Sequence, residues 1–487
     1  MASAGSARLR TWFGRVVEPW AAQKVGGHAR LRIATLLAAV LALQSADIAT
    51  VGAVAAPLSA DLGLTNTDIG LLVSLSTLIG AVATLPMGVL ADRVNRVRLL
   101  TGAIVVWSVA EGLSGVATSF TMLLLTRLAL GAVIATATPV VSSLIGDYFP
   151  GRDRARIFGY VLAGELVGTG AGFAVSGTVA GLISWRASFF LLAGGGLVLG
   201  WALYRLLAEP ARGTHAVAED EQDRGGHVAD EVRRSAVQPD SALLQARDPE
   251  HMSVWAAVVY VMRIRTNLVL IVASALTYFF FTGLQTFAVQ YLTERFGVPQ
   301  SVASILLVVI GAGAVGGVLI SPRIADWLIG RGVVYGRVLV AGVALLLIVV
   351  LGVPSLLIDS LLIAAVLLFF AAAAYGATNP PLDSARLDIM HHQLWGRAEA
   401  VRTVLRSLFT AAAPLSFGFA STRIGGDHGQ GLGRTFLIML APVLAAALLL
   451  LVRGVRTYPR DVATAEAFER LTSGRSSDSE SRADDSP

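Results

Sequence analysis

The stretch Gly88-Val-Leu-Ala-Asp92-Arg93-Val-Asn95-Arg96-Val-Arg98 decides the fold, because it is a short polar segment between two long apolar runs. The runs cover residues 69–91 and 99–117, and each is close to the length of about 20 residues with which a helix crosses a bilayer. A connection this short joins only antiparallel neighbours. Its arginines predict that it lies on the cytoplasmic side of two consecutive membrane-spanning helices.

The bulk composition is that of a polytopic membrane protein. The chain has 487 residues, of which 55% are hydrophobic and 15% are charged, whereas soluble domains carry about 25% charged residues. It has no cysteine, which excludes disulfides and thiolate metal sites. The net charge of +5 does not indicate a nucleic-acid ligand, because the arginines cluster in the short segments between apolar runs.

The sequence also lacks the features of an enzyme or of an ATP-driven pump. It contains no catalytic constellation, and His391-His392 has no acidic residues at metal-ligand spacing. A glycine-lysine loop that would bind phosphates is missing too. We therefore predict no catalytic residues, no metal and no cofactor.

Twelve apolar runs are long enough to span a bilayer as helices. They cover residues 32–57, 69–91, 99–117, 120–146, 156–178, 186–206, 267–291, 300–322, 337–355, 359–380, 397–421 and 434–453. Arginines accumulate in alternate loops, with Arg186, Arg295, Arg423 and Arg434 as the exceptions. This bias predicts that both termini and the long middle loop are cytoplasmic.

The spans divide the chain into five segments. Residues 1–30 are predicted to be a basic amphipathic segment on the cytoplasmic membrane surface, although plain disorder explains their composition as well. An N-terminal six-helix bundle (31–206) precedes a cytoplasmic linker with an interfacial helix (207–265) and a C-terminal six-helix bundle (266–453). Residues 454–487 are predicted to be a disordered cytoplasmic tail.

The two halves resemble each other in sequence. Gly88-Val-Leu-Ala-Asp92-Arg93-Val94 aligns with Gly317-Val-Leu-Ile-Ser321-Pro322-Arg323, and Leu144-Ile-Gly-Asp147-Tyr-Phe-Pro150 aligns with Asn379-Pro-Pro-Leu-Asp383. Parallel repeats about an axis along the membrane normal are a known plan of transporters. We therefore predict an all-α membrane protein whose twelve transmembrane helices form two pseudo-symmetric six-helix bundles.

The glycine at 88, followed four residues later by Asp-Arg and then by a basic run, resembles the loop motif of the major facilitator superfamily. The usual second glycine is Asn95 here, and this Asn95-Arg96 variant is similar to the spinster-like branch, the lysolipid and sphingolipid transporters. The resemblance covers about residues 30–455. It implies a central cavity and transport by rocking alternating access.

Residues of this loop and its neighbours are predicted to form a cytoplasmic latch that holds one conformation closed. Gly88 would let two helices approach closely, and Asp92 would accept hydrogen bonds from a helix N-terminus or from an arginine. The predicted latch consists of Gly88, Asp92, Arg93, Arg96, Asp147 and Arg156.

Four ionisable residues lie within predicted spans, namely Asp47, Glu111, Arg127 and Glu165. Inserting an ionised side chain into the membrane at such a position costs at least about 2.5–3.5 kcal/mol, so a residue of this kind usually marks a transport pathway or a proton relay. At a rise of about 1.5 Å per residue, Asp47 and Arg127 reach a similar height and can pair. Protonation of the carboxylate would weaken such a pair and bias one conformation. A structural ion-pair network is the alternative, and Glu111 could simply hydrogen-bond a neighbour.

Arg127-Leu-Ala-Leu-Gly131 resembles the fourth-helix motif of the superfamily, whose arginine is associated with coupling to proton movement. Spinster-like proteins carry an acidic residue about two helical turns after this arginine, on the same face of the helix. Ile134 occupies that position here. Glu165 on the adjoining helix could supply the missing carboxylate. A second departure is Asp47-Ile48, where the branch tends to carry Asp-Arg.

Glycines of the fifth span resemble the glycine motif of the superfamily's antiporters, with Phe173 in place of the motif's proline. They are Gly159, Gly168, Gly172 and Gly177. Such glycines predict close packing of this helix at the interface between the domains. The motif favours export.

Tyr278, Phe281 and Gln285 share one face of the seventh span and are predicted to bind substrate. An amphiphile would place its apolar body on the rings and its polar end on Gln285. Arg406, one turn after Arg402, could hold a lipid phosphate or a carboxylate. Ordinary packing is the alternative for the rings, and anchoring at the cytoplasmic face is the alternative for the arginines.

The combined prediction is a secondary active transporter in the plasma membrane of a bacterium that moves a lysophospholipid-like amphiphile, coupled to protons. Multidrug or metabolite efflux by proton antiport is the alternative, and a non-transporting receptor-like protein is the second. The expected partners are the amphiphilic substrate, protons and the lipid bilayer, without nucleic acid. The chain is expected to be a monomer.

Overall fold

Long α-helices make up the described part of the protein. The computed structural model describes residues 27–149, 151–210, 232, 237–239, 254–390, 395–425 and 430–468. Most of the predicted N-terminal surface segment, most of the linker, His391-His392 and residues 469–487 of the predicted tail lie outside these ranges.

The chain divides into two compact units. The first consists of Met1–Asp220 with Val298–Ile305, and the second consists of Glu221–Gly297 with Leu306–Pro487. The helices before the linker are α1 (His28–Leu62), α2 (Asn66–Arg93), α3 (Arg96–Gly115), α4 (Phe120–Ile134), α5 (Ala137–Tyr148), α6 (Gly151–Ala171), α7 (Gly177–Leu182) and α8 (Trp185–Leu206). Those after it are α9 (Val254–Arg263), α10 (Arg265–Phe296), α11 (Gln300–Ile329), α12 (Gly336–Leu357), α13 (Leu361–Asp388), α14 (Trp395–Ile424) and α15 (Gln430–Leu448).

Twelve helical segments of the described residues are long and apolar enough to cross a membrane. Helices α4 and α5 together form the fourth segment, and α6 continues through α7 as the fifth. Six segments precede the linker and six follow it, which confirms the predicted fold class.

Three spans differ from their predicted form. The fourth is interrupted at Ala135-Thr136, and the fifth contains a π-helical turn, Gly172–Ser176. The twelfth passes through a second π-helical turn, Leu449–Gly454, and continues as a helix to Phe468. The predicted start of the tail at residue 454 is therefore wrong.

Packing explains why the last helix continues beyond the predicted boundary. Tyr458 is fully buried, and Asp461 accepts a hydrogen bond from the backbone N–H of Thr266 at 2.8 Å. The ring of Phe468 lies 6.3 Å from that of Tyr260 on α9, where burial raises the pKa of the Tyr260 hydroxyl to about 12. The helical extension thus belongs to the core of the second unit.

Polar side chains fix the helix ends at the short loops of the first unit. Thr65 and Asp68 form a capping box at the start of α2. Ser119 and Ser184 accept hydrogen bonds from backbone N–H groups of the first turns of α4 and α8. Each cap satisfies a donor that has no partner inside its own helix.

Glycines allow close contact between the second and fourth spans of both halves. A Cβ added to Gly131 of α4 would lie 2.3 Å from the carbonyl oxygen of Ser76 on α2. A Cβ added to Gly317 of α11 would lie 1.9 Å from the carbonyl oxygen of Ala373 on α13. Only glycine permits such backbone contacts, and their occurrence in both halves fits the predicted repeat.

Helix α6 packs on α1 through a second glycine series. A Cβ added to Gly168 would lie 2.1 Å from the carbonyl oxygen of Ala42, and Gly164 and Gly172 make similar contacts one turn away on either side. Gly159 differs, since a Cβ there would meet no described atom within 4 Å. Gly164, which the predicted motif omits, takes part instead.

Candidate functional site

Three charged side chains meet inside the first unit. The Nη1 atom of Arg127 on α4 donates to Oδ1 of Asp47 on α1 at 2.7 Å. Its Nη2 atom donates to both carboxylate oxygens of Glu111 on α3 at 3.2 Å. The predicted Asp47–Arg127 pair is therefore present, and we call the three residues the Arg127 cluster.

The Arg127 cluster is fully enclosed by the bundle. The exposed fractions are 3% for Asp47, 0% for Glu111 and 4% for Arg127. Phe189 of α8 covers the guanidinium group, with Cζ 4.7 Å from the centroid of the ring. Four helices thus contribute to one buried site, and the two planar faces of a guanidinium suit this combination of carboxylates and a ring.

The charges of the cluster do not balance when both carboxyl groups are ionised. One guanidinium then faces two carboxylates, which leaves an excess negative charge in a site without water access. A buried charge is costly unless it is paired, and two nearby carboxylates favour binding of one proton. The arrangement can therefore hold one proton beside a permanent cation.

Glu165 lies elsewhere on the unit. The carboxylate at Nη2 of Arg127 is that of Glu111, whereas Glu165 is exposed on α6. The geometry does not support the suggestion that Glu165 supplies the missing carboxylate, because the second carboxylate at Arg127 comes from Glu111 on α3. Glu111 was among the predicted residues, but its partner could not be assigned from its height alone.

A second buried arginine lies where α2 and α3 meet. The two helices are joined by Val94 and Asn95 alone, and Asn95 accepts a hydrogen bond from the Arg98 N–H as the N-cap of α3. Arg96 is 2% exposed. It pairs with Asp147 of α5 and donates to Ser143 at 2.8 Å.

Glu209 completes this site and was not among the predicted residues. Its Oε1 accepts from Nε of Arg96 at 2.8 Å, and its Oε2 accepts from the backbone N–H of Val97 at 2.9 Å. The Tyr148 hydroxyl donates to the carbonyl of Ala208, next to Glu209. The signal in the sequence is that Glu209 is the first carboxylate after the sixth span, at the start of a segment read as linker.

The remaining latch residues have different outcomes. Arg93 is exposed at the end of α2. A Cβ added to Gly88 would meet no described atom within 4 Å, so the predicted close helix approach is not at this glycine. A close approach to α2 occurs instead at Gly131, about three turns into α4 from its start. The side chains of Asp92 and Arg156 lie outside the described part of the structure.

The predicted substrate residues of the second unit group around aromatic rings. Phe281 stacks on Tyr375 of α13 with centroids 4.0 Å apart and planes 10° apart. Arg406 of α14 lies over the ring of Tyr278, with Cζ 4.7 Å from the centroid. Three helices thus bring together a cation and three rings, and Tyr375 is the member that the sequence did not indicate.

Arg406 and Arg402 differ in their partners. Arg402 donates to Asp383 at 2.6 Å and is buried. Arg406 is half-buried and makes no salt bridge with any carboxylate of the described residues. Gln285, one turn beyond Phe281, is half-buried as well. Arg406 is therefore the arginine of this pair that can meet an anionic group.

Comparisons with known proteins agree with this architecture. The sequence profile of the Major Facilitator Superfamily matches residues 35–414. The chain is 27% identical to the D-galactonate transporter of Escherichia coli O6:H1 over 293 residues, which are 59% of this chain and 64% of that protein. It is 34% identical to the quinolone resistance protein NorA of Staphylococcus aureus over 116 residues, 23% of this chain and 30% of that protein.

A solved structure extends the similarity to nearly the whole chain. A bacterial homologue of the human lysosomal transporter Spinster, inward-facing and unoccupied, has a TM-score of 0.67 and 21% sequence identity, with 90% of this chain and 97% of that chain covered. The matches to the two curated relatives span less than two thirds of their lengths. The family and the fold are those of transporters rather than of enzymes.

Proposed function

Because the chain belongs to the Major Facilitator Superfamily, we propose that it is a secondary carrier that moves an amphiphilic organic molecule by alternating access and couples this movement to protons. The proposed location is the plasma membrane of a bacterium, with both termini in the cytoplasm. The alternation of arginine-rich and arginine-poor loops supports this orientation.

The observation that carries the proposal is the Arg127 cluster. Its two carboxyl groups compete for one guanidinium in a site closed to water. Binding of a proton removes the excess charge and leaves one ion pair, whereas its release lets both carboxylates of α1 and α3 attract the guanidinium of α4. Proton occupancy therefore changes the forces between the helices that move in a carrier cycle.

The substrate class is proposed from the site in the second unit. Arg406 would pair with an anionic group such as a phosphate or a carboxylate. The rings of Tyr278, Phe281 and Tyr375 would cover the apolar part. A lysophospholipid has both parts, and it is the substrate that we propose to test first.

The Arg96 site supports a role in holding one conformation. Arg96 joins α3, α5 and the start of the linker through Asp147 and Glu209. A change in the position of any of these elements breaks at least one buried charged contact. We propose that this site is the latch, with Glu209 as a member.

The proposal is tested with the purified protein in liposomes under an imposed pH gradient, with a fluorescent lysophospholipid as substrate. We expect gradient-driven movement by the unchanged protein. Glu111→Gln and Asp47→Asn should abolish the response to the gradient, because either variant removes the excess carboxylate. Asp359→Asn is the matched control, since Asp359 pairs with Arg295 and is exposed.

A second candidate is export of drugs or small metabolites by proton antiport. The match to NorA and the glycine contacts between α6 and α1 favour it. The same liposomes would then move a fluoroquinolone or a cationic dye but not the lysophospholipid. Movement of neither class under any gradient would contradict the carrier proposal and favour a receptor-like role.

A further inference from the structure

A group of exposed arginines lies in the second unit, at the start of the seventh span and at the end of the apolar part of the twelfth. Arg263 is the last residue of α9 and Arg265 is the first of α10. Arg453 and Arg456 belong to the last helix. All four are exposed, and none forms a salt bridge with a carboxylate of the residues that the structure describes. We call these four residues the basic patch.

Two hydrogen bonds hold the parts of the basic patch together. The hydroxyl of Thr266 donates to that of Thr457 at 2.7 Å, and the backbone N–H of Thr266 donates to the buried carboxylate of Asp461 at 2.8 Å. Arg265 and Arg456 are the sequence neighbours of the two threonines, so their Cα atoms are at most about 15 Å apart. Two arginine side chains at this separation can both reach one ligand that carries a phosphate.

The heights of these arginines match the head-group layer of a bilayer. Arg265 precedes the apolar run 267–291 by two residues, and Arg453 is the last residue of the apolar run 434–453. At about 1.5 Å per residue, Arg456 lies only about 5 Å farther along the helix than Arg453. The polar layer on each side of the hydrocarbon is about 5–8 Å thick. The patch therefore fits within this layer.

Exposed aliphatic side chains continue from the patch toward the apolar parts of both spans. Leu268 and Val272 follow Arg265 on the same face of α10, one and two turns away. Val452 precedes Arg456 by four residues on the last helix and is exposed as well. Within a span, such side chains contact lipid tails, which are as apolar as leucine. A cation with aliphatic side chains beside it thus occurs on both helices.

We propose that the basic patch binds the head group of an anionic phospholipid, whose acyl chains lie along Leu268 and Val452. Arginine favours phosphate as a partner, and an anion there relieves the repulsion among four unpaired cations. Free phosphate would use the arginines alone, whereas a phospholipid also uses the exposed aliphatic side chains. Binding at this patch is independent of the proposed substrate and of proton coupling.

The test is a titration of the full-length protein in an uncharged detergent with dioleoyl phosphatidylglycerol. Native mass spectrometry counts the bound lipids and gives their affinities. Phosphatidylcholine with the same chains is the comparison, since its head group has no net charge. We expect the tightest phosphatidylglycerol to bind at least about tenfold more tightly than phosphatidylcholine, because each arginine near an anionic head group contributes about fivefold in affinity.

A matched pair of double variants separates the patch from general charge. Arg265→Gln with Arg456→Gln should weaken the tightest phosphatidylglycerol about 25-fold. Arg98→Gln with Arg205→Gln removes the same charge from the first unit, where both arginines are exposed, and should leave this affinity unchanged. Phosphatidylglycerol should raise the melting temperature of the unchanged protein and of the Arg98/Arg205 variant more than that of the patch variant.

Several results would overturn this assignment. They are equal affinity for phosphatidylcholine, an unchanged affinity in the patch variant, and an equal loss in both double variants. Displacement of the lipid by glycerol 3-phosphate at equal concentration would show a site for free phosphate instead. Lipid binding without flux in liposomes would contradict the proposed function alone, and flux without selective lipid binding would contradict the patch alone.

Discussion

Arg127 is a permanent cation in a site that excludes water, so at least one ionised carboxylate must lie beside it. Removing one member of a buried ion pair leaves an uncompensated charge and costs about 3–5 kcal/mol. Arg127→Met would leave Asp47 and Glu111 facing each other without a cation. We expect a loss of stability of about this size, measured as a lower melting temperature in detergent.

The control for Arg127→Met is Arg434→Met. Arg434 is exposed at the start of α15, and its contact to Gln430 is 3.4 Å long. We expect its removal to change the melting temperature little, because exposed polar contacts contribute about 0–1 kcal/mol. Equal destabilisation by both variants would contradict the central position of Arg127.

Arg406 allows a sharper test of substrate chemistry. Arg406→Gln keeps a polar side chain over Tyr278 but removes the charge, so we expect the KM for an anionic amphiphile to rise at least about tenfold, as for loss of a charged hydrogen bond. Arg423→Gln is the matched control. Arg423 is on the same helix, α14, and likewise lies over an aromatic ring, with Cζ 5.3 Å from the centroid of Phe419. A rise in KM for a neutral substrate as well would point to misfolding rather than to lost charge recognition.

Residue heights could be read from the sequence, but the direction of each side chain around its helix could not. The Asp47–Arg127 pair followed from counting residues into each span. The choice between Glu111 and Glu165 as the second carboxylate depends on which face of α3 and α6 meets α4, and apolar periodicity is weak when helices are hydrophobic all round. Structure places Glu111 at Arg127 and Glu165 on an exposed face.

At the scale of elements, the contact between α6 and α1 depends on glycine at particular turns. Gly168→Ala would bring a Cβ to 2.1 Å from a backbone oxygen of α1, which only movement of a helix can relieve. We expect a loss of about 1–3 kcal/mol in stability, the usual cost of overpacking. Thermal unfolding in detergent measures it.

Gly159→Ala is the matched control on the same helix. A Cβ there would meet no described atom within 4 Å, and alanine favours a helix more than glycine does by about 1 kcal/mol. We expect this variant to be neutral or slightly stabilising. If Gly168→Ala behaved in the same way, the close contact between α6 and α1 would be refuted.

Glu209 ties the start of the linker to the first turn of α3. Glu209→Ala would free the backbone N–H of Val97, whose acceptor it is, and remove one partner of Arg96. We expect faster hydrogen exchange in the peptide that contains Val97, with unchanged exchange at the capping box of α2. Unaltered exchange at Val97 would show that this contact does not persist in solution.

Helix existence was predictable, whereas breaks within helices were not. Twelve apolar runs suffice to locate twelve spans, because a bilayer demands helices of that length. The π-helical turn at Gly172–Ser176 leaves no such mark. It includes Phe173, the position at which the antiporter motif has a proline, and it is held by the hydrogen bond of Ser176 to Thr50 at 2.7 Å. Tertiary contacts of this kind are not visible in a local pattern.

At the scale of the whole molecule, the sequence repeat between the two halves was predictable. The polar side chains of the two halves, in contrast, do not follow the repeat. Glycine contacts join the second and fourth spans in both units. The buried charges of the Arg127 cluster lie in the first unit, whereas the cation over aromatic rings lies in the second. We therefore propose that the first unit binds the proton and that the second recognises the substrate.

The most direct test of this account is infrared spectroscopy of the protein at neutral pH, which detects the C=O stretch of a protonated carboxyl group. We predict one such band from a water-excluded carboxyl group in the unchanged protein. Glu111→Gln or Asp47→Asn should remove it, whereas Glu165→Gln should not. Absence of the band, or its persistence in both cluster variants, would contradict a proton held beside Arg127.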